Sequence, residues 1–500
     1  MPTKRITRSQ TRVQTSVELE PLKNIVENPI RTPKRSRKEK VSNELEVGST
    51  SSSPRHAIVY HRFTSEEVET IRSELISWYN DNKRTLEWRL DWEEGRSKSQ
   101  LSQRAYEVWV SEIMLQQTQV KTVREYYRRW ISKWPTVRDL ANADLEEVNK
   151  VWAGLGYYQR ARRLHEGAKK IVDDLGGIMP SNGVDLQRLI PGIGRYTAGA
   201  ISSIAYNQPT ELVDGNVVRV LSRLRGIGGD PKSSGIIEMI WDLAKVLIHP
   251  KCPGDFNQAL MELGATICTP TNPNCQGCPV KTECRALEET KLQRLVDIKL
   301  ADIEDQCTLC LPRAADEPYR VTDYPRKVEK KPPREEGSVV CILEHVDVDT
   351  QQIHYLLQKR PEKGLLAGLW EFPNVSISQT PLSNQEHVML AIQDVQKRLG
   401  IVIRDESRSE YIGSIIHLFS HIKQTYQVVR VTIDSSESHL PMPTIATTEF
   451  QWVSQSEISK CAIPTGLRKA FKLLTKEPSA SVAKKAKVST NQPSIKTFFK

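Results

Sequence analysis

In Leu186-Gln187-Arg188-Leu189-Ile190-Pro191-Gly192-Ile193-Gly194-Arg195-Tyr196-Thr197-Ala198-Gly199-Ala200-Ile201 an apolar helix end runs into Pro-Gly-Ile-Gly, and a second, small-residue helix follows. Gly192 and Gly194 allow backbone amides to point outward at the second helix's N-terminus, where the dipole and free N–H groups suit a phosphate. An ordinary αα-hairpin would show the same tetrapeptide, so the surrounding sequence has to decide. From about Val59 to about Leu292 apolar residues recur at helical spacing, as in Val68, Ile71, Leu75, Ile76 and in Leu145, Val148, Val151, Trp152. Breakers at Trp134-Pro135, Gly176-Gly177, Pro191-Gly192, Gly226 to Pro231 and Pro250 to Gly254 separate these segments. An all-α domain over 58–292 follows.

Composition bounds the rest of the 500-residue chain. The net charge is +10, from 71 Lys plus Arg against 61 Asp plus Glu, and the two tails supply all of it. Met1 to His56 carries 12 basic and 6 acidic residues, Glu477 to Lys500 five and one, and the remainder 54 of each sign. Inside that balanced body Lys121 to Lys170 is locally basic, 12 against 6. The tail 1–57 is too poor in apolar residues to offset its ordering entropy and reads as disordered, as does 476–500. Pro33-Lys34-Arg35-Ser36-Arg37-Lys38-Glu39-Lys40 and Lys484-Lys485-Ala486-Lys487-Val488 read as import signals or solvated charge runs, and nuclear localisation is expected, with the mitochondrion as an alternative. No apolar run reaches the roughly 18 residues of a membrane span, and the N-terminus lacks a secretory h-region, so a soluble chain is expected. Charged residues ending in Lys330-Lys331-Pro332-Pro333-Arg334 make 293–335 a connector. Short β-like runs at Ser338–Leu343, Ile353–Leu357 and Tyr426–Val431, with an amphipathic helix at Gln385–Leu399, predict an α/β domain over 336–475.

Four cysteines crowd into Cys268-x6-Cys275-x2-Cys278-x5-Cys284. Four thiolates within 17 residues can converge on one metal centre, and the spacing alone leaves structural zinc and a [4Fe-4S] cluster both open. Two carboxylates stand out. Glu112 is the only charge in Val108-Trp109-Val110-Ser111-Glu112-Ile113-Met114-Leu115. Apolar surroundings raise a carboxyl pKa and keep a general acid protonated; a buried Glu paired with an Arg is the bland alternative. Asp214, in Val213-Asp214-Gly215-Asn216-Val217, is either a plain N-cap or a carboxylate held ionised by helix-terminal amides, facing a developing cation. Together they present two acids in contrasting environments.

The cysteine spacing resembles the iron-sulfur loop of the endonuclease III and MutY glycosylases, and Pro-Gly-Ile-Gly resembles their helix-hairpin-helix, which holds the DNA backbone without reading sequence. Trp109 through Val120, Ala153-Gly154-Leu155-Gly156-Tyr157-Tyr158 and Val213-Asp214-Gly215-Asn216 are similar to the MutY family of adenine DNA glycosylases, from about Arg72 into the C-terminal domain. The resemblance implies a base excision repair enzyme that flips out adenine mispaired with 8-oxoguanine or guanine. It implies a [4Fe-4S] cluster on Cys268, Cys275, Cys278 and Cys284. Glu112 would protonate adenine N7, and Asp214 would stabilise the oxocarbenium ion, with Tyr196 and Asn216 assisting. Gln116, Gln117 and Tyr157 would contact DNA, with Gln116 and Tyr157 entering the gap in the stack. Arg84, Trp88, Arg89, Gln258 and Glu262 would form the adenine pocket; Glu87 stands where the family usually has Pro. Bifunctional endonuclease III relatives carry a Lys where this chain has Tyr196, so a monofunctional glycosylase is expected. The alternatives are an endonuclease III-like lyase and a noncatalytic clamp adaptor.

Gly364-Leu365-Leu366-Ala367-Gly368-Leu369-Trp370-Glu371-Phe372-Pro373 is similar to the start of a Nudix box, yet Gln393 to Gly400 has Lys397 and Arg398 where active hydrolases bind magnesium with a Glu pair. Hard cations need oxygen ligands, which argues against pyrophosphate hydrolysis. The resemblance implies 8-oxoguanine recognition instead, with Phe419-Ser420-His421 as the contact loop. Cys307-Thr308-Leu309-Cys310 has metal-ligand spacing, and some animal relatives complete a zinc site with a further Cys, where this chain has Leu300, and a distant His that matches His61. Gln492, Ile495, Phe498 and Phe499 resemble the peptide that docks on the sliding clamp, proliferating cell nuclear antigen. The connector is the expected seat of a checkpoint clamp and an apurinic endonuclease, and the chain is expected to be monomeric.

Overall fold

A computed structural model describes residues 56–90, 93–293, 307–311, 317–326, 332–347, 352–361, 364–377, 382–403, 406–419, 421–433, 440–443 and 449–475. The tail clusters, Ser420 and the clamp peptide lie outside them.

The first region is helical: α1 (Ser65–Asn82), α2 (Lys98–Leu115), α3 (Val120–Lys133), α4 (Val137–Ala141), α5 (Leu145–Trp152), α6 (Gln159–Leu175), α7 (Gly183–Leu189), α8 (Arg195–Ala200), α9 (Gly215–Leu224), α10 (Ser234–Leu247), α11 (Pro253–Thr266) and α12 (Arg285–Leu292). Starts are written in the sequence. Thr64 and Ser97 form capping boxes with Glu67 and Gln100, while Asp144 and Asn182 cap α5 and α7; each such cap contributes about 1 kcal/mol. One core runs through these helices, with Ile71, Leu75, Trp109, Trp130, Trp152 and Phe256 fully buried. The predicted hairpin is present. α7 ends at Leu189, Gly192 turns with φ +83, Gly194 opens α8, and a π-type turn over Ile201–Ala205 continues it. A Cβ on Gly192 would lie 2.8 Å from the Arg163 Cβ, whereas one on Gly194 would meet nothing within 4 Å. The first glycine therefore serves packing, and the second leaves the helix start open.

The second region is a mixed sheet of β1 (Arg334–Val346), β2 (Ile353–Lys359), β3 (Trp370–Glu371), β4 (Asn374–Ile377), β5 (Ser409–Leu418), β6 (Ile422–Ile433) and β7 (Phe450–Ser454). Its order is β3-β2-β1-β6-β5, with β4 on β1 and β7 on β2; β1 and β6 run parallel and the other pairs antiparallel. Alternation places Val339, Cys341 and Leu343 under α13 (Asn384–Leu399) and Val340 and Ile342 under α15 (Thr465–Leu474), which follows the short α14 (Gln455–Ile458). Leu369 and Ala462 of this region pack into the helical core. Two connector segments also dock there: the Leu311 N–H donates to the Gly228 carbonyl at 3.1 Å, and the Tyr324 hydroxyl donates to Glu289 while its carbonyl accepts from the Arg223 Nε at 3.2 Å.

Candidate active site

A cavity of about 500 Å³ opens where α2, α8, α11 and the start of α9 meet. Glu112, Gln116, Gln117, Tyr196, Asp214, Asn216, Arg84, Trp88, Arg89, Gln258 and Glu262 all line it. Ser111 and Met261 are among the further lining residues that nothing in the sequence singled out. Tyr157, Gly192, Gly194, Phe419 and His421 are not among the lining residues.

Glu112 is buried because α2 is buried over most of its surface from Ser102 to Met114. Its Oε2 accepts a hydrogen bond from the Tyr196 hydroxyl at 2.5 Å, and the Met261 sulfur lies 3.5 Å from that hydroxyl. Burial pushes the Glu112 carboxyl up to about 7; the Tyr196 hydrogen bond and Arg89 oppose this, and the Asp214 charge adds to it. Burial and the two carboxylates push the Tyr196 phenol well above its ordinary value, so it remains a donor.

Asp214 is the N-cap of α9. Its Oδ1 accepts from the Asn216 N–H at 2.9 Å and the Val217 N–H at 2.8 Å, and its Oδ2 accepts from the Asn216 Nδ2 at 2.8 Å. Burial raises this carboxyl too, against the pull of those three bonds. The two acids therefore differ in what meets them: one phenol at Glu112, and three N–H donors at a helix N-terminus at Asp214. Negative charge is therefore better supported at Asp214, and a proton is more readily kept on Glu112. Asn216 is fixed in turn by the Arg219 Nη2, 2.9 Å from its Oδ1, and by Gly264, where a Cβ would come within 2.6 Å of the Asn216 Cβ.

Across the cavity Arg84 forks onto Glu262 at 2.5 and 2.9 Å, and the Arg89 Nη2 reaches the same carboxylate at 3.0 Å. Burial would raise the Glu262 carboxyl, but the two guanidinium groups outweigh it and hold it below its ordinary value. The Arg89 Nε donates to the Gln258 Oε1 at 3.2 Å. Glu87, in the place of the family's Pro, accepts from the Arg124 Nε and Nη2 at 2.9–3.0 Å and pairs with Arg128, tying this rim to α3.

Beside the mouth, Gln117 and Tyr157 both adopt left-handed backbone, φ 54° and 50°, and Tyr157 is 48 % exposed. Left-handed backbone at bulky residues is uncommon and tends to mark functional sites.

Two other groups could hold metal. Cys268, Cys275, Cys278 and Cys284 line one small cavity walled by Leu263, Ile267, Val280 and Leu287. Burial pushes Cys278 up to about 11 and Cys284 up to about 12, so thiolates there require a cation. Arg219 and Arg223 tie this loop to α9: the Arg219 Nε donates to the Cys268 carbonyl at 2.8 Å, and Arg223 to the Thr269 and Pro270 carbonyls at 2.7 and 3.1 Å.

The second group is His56, His61, Cys307 and Cys310, whose ligand atoms all lie within 4.8 Å of one another. His61 Nε2 is 3.4 Å from the Cys307 sulfur and 3.5 Å from that of Cys310, and 2.8 Å from His56 Nε2. His61 Nδ1 lies 2.8 Å from the Arg225 carbonyl, which can only accept; that assigns the proton to Nδ1 and leaves Nε2 free to ligate. Where Leu300 offers no ligand atom, His56 brings one to the group, a placement hidden in the sequence because only the fold brings a residue five positions before His61 to a pair some 250 positions away.

In the second region Arg398 forks onto Asp394 at 2.7 and 2.6 Å and donates to Gln358 at 3.1 Å, while Gln358 and Arg360 both bond Glu371. The acids near the Nudix-like segment are thus engaged by guanidinium and amide groups. Phe419 closes the β5–β6 hairpin through its N–H to the Ile422 carbonyl at 2.8 Å and sits edge-on to His417.

Residues 110–245 match the HhH-GPD superfamily of base excision DNA repair proteins, and residues 347–473 match the NUDIX domain. The chain is 47% identical over 427 residues to the adenine DNA glycosylase of Homo sapiens, covering 83% of this chain and 76% of that protein. It is 39% identical over 428 residues to that of Schizosaccharomyces pombe, covering 81% and 89%. Among solved structures, the C-terminal domain of mouse MUTYH in complex with human PCNA aligns at 29% identity over 28% of this chain and 88% of that one, with a TM-score of 0.23.

Proposed function

Because the chain belongs to the adenine DNA glycosylases, enzymes of base excision DNA repair, we propose that its substrate is adenine paired with 8-oxoguanine or guanine, and that it releases the base by acid-assisted hydrolysis without cutting the strand. The observation that carries the mechanism is the contrast between Glu112, raised by burial to about 7 and met by one phenol, and Asp214, held by three N–H donors in the same cavity. Extrusion brings adenine against Glu112, which gives its proton to N7 and turns a poor leaving group into a neutral one. Asp214 faces the sugar cation as it forms, and Asn216 keeps that carboxylate aimed. Gln116 and Tyr157 fill the gap in the stack, and Phe419-Ser420-His421 senses the lesion in the opposite strand. Tyr196 offers no amine for a Schiff base, which supports the monofunctional reading.

Single-turnover reactions on duplexes with adenine opposite 8-oxoguanine test this. Adenine release is expected with strand breaks only after alkali. Breaks before alkali, trapped by borohydride, would establish a lyase, and no release at all would leave a DNA-binding adaptor.

Two metal groups complete the proposal. The four loop cysteines suit a [4Fe-4S] cluster: they share one apolar-walled cavity, and the cluster would serve to order the loop that α9 leans on. The His56, His61, Cys307 and Cys310 group suits one zinc ion, which would fasten the connector to the helical region. Metal analysis of the full chain is expected to find about one zinc per molecule, and His56→Ala to lower zinc affinity about tenfold to a hundredfold with iron content unchanged; equal zinc retention in that variant would remove His56 from the set. The sliding clamp, a checkpoint clamp and an apurinic endonuclease are proposed as partners, with the nucleus as the place of action.

A further inference from the structure

Arg160, in the first turn of α6, holds a largely buried guanidinium whose hydrogen-bond partners are all backbone oxygens. Its Nη1 donates to the carbonyls of Ile113, Met114 and Gln116 at 2.9, 3.1 and 2.6 Å. Its Nη2 donates to those of Leu155 and Gly156 at 3.3 and 2.9 Å. The first set closes the end of α2; the second closes the turn between α5 and α6. No carboxylate among the described residues pairs with this cation, which instead lies 5.2 Å from the Trp152 ring centroid and 5.4 Å from that of Tyr157.

Two of the five acceptors are distinctive. The carbonyls of Gln116 and Gly156 immediately precede Gln117 and Tyr157, the two residues at the mouth with left-handed backbone. A peptide unit is rigid, so rotating φ at either residue swings the preceding carbonyl and breaks its bond to Arg160. One guanidinium therefore clamps both disfavoured conformations at once, and its planar fork is what lets it reach two turns on separate segments.

We propose that Arg160 is a positioning residue that couples the Gln116–Gln117 turn to the Tyr157 turn, so that the two enter the duplex as one unit. This rests on the reading of Gln116 and Tyr157 as the residues that fill the gap. The coupling also fits a cation with no carboxylate partner among the described residues, beside the path of a polyanion.

The test uses the full chain with Arg160→Lys, which keeps charge and stem and loses the fork. Hydrogen exchange is expected to rise in both 113–118 and 154–158 and to stay unchanged in α9 and α11. Fluorescence of 2-aminopurine at the target position should show base extrusion weakened about tenfold, and adenine release should fall with it while its pH profile is retained. In a Tyr157→Ala background the same change should cost less than about twofold more, because the unit is already broken. Exchange that rises in one turn alone, or full extrusion by the folded variant, would overturn the coupling. Normal extrusion by Tyr157→Ala would overturn the gap-filling reading instead, while the exchange data would still decide whether the turns are linked. Arg160→Gln serves as the second variant if the lysine form does not fold.

Discussion

Glu112→Gln is expected to slow single-turnover adenine release by about 10³-fold while the variant binds the mismatched duplex within about threefold of the parent. Glutamine keeps the shape of the side chain and can still accept the Tyr196 hydroxyl, so the helix end and the cavity persist; only the transferable proton is lost. The pH dependence supplies the second half of the test. Burial holds the Glu112 carboxyl up at about 7, so the protonated form prevails below that pH and the carboxylate above it. Release by the parent enzyme should therefore decline as pH rises through 7, approaching about tenfold per unit on the alkaline side. The residual rate of the glutamine variant should show no such limb. A glutamine variant with parental activity, or a parent profile flat from pH 6 to about 9, would remove Glu112 from the acid role.

Asp214→Asn is expected to cost about 10²–10³-fold in the same assay. Asparagine caps helices about as well as aspartate, so α9 should start where it does now and the thermal midpoint should move little. What disappears is the negative charge that faces the sugar cation. The variant separates the two readings the sequence left open: a residue that only caps α9 would leave release intact, whereas loss of release in a folded variant shows that the charge itself is used.

How legible the molecule was depended on whether a signal is local. The helical region announced itself through 3.6-residue spacing and Gly and Pro breaks, and the strands Ser338–Leu343, Ile353–Leu357 and Tyr426–Val431 fall within β1, β2 and β6. Glu112 stood out because a single charge in an apolar run is costly unless used. Asp214 stood out because caps have a recognisable position. The residues that escaped act over distance or through backbone. His56 becomes a candidate ligand only once the chain returns from the connector. Arg160 meets carbonyls, which every residue carries, so no pattern of side chains could mark its partners. Asp214 also shows the limit of reasoning from caps: the amide bonds were legible, whereas the burial that opposes them depends on α11 and α8 closing over the site.

α9 joins two places usually considered apart. Asp214 stands at its start, while Arg219 and Arg223 along its length hold the carbonyls that open the cysteine loop. A descendant that replaced the whole loop would take from Arg223 its Thr269 and Pro270 acceptors and from Arg219 its Cys268 acceptor, leaving Arg219 on Gly264 and Asn216. Exchange of a single cysteine side chain would leave those backbone acceptors where they are. Wholesale replacement of the loop is therefore expected to leave a footprint of joint substitution at Arg223, some 50 residues earlier in sequence.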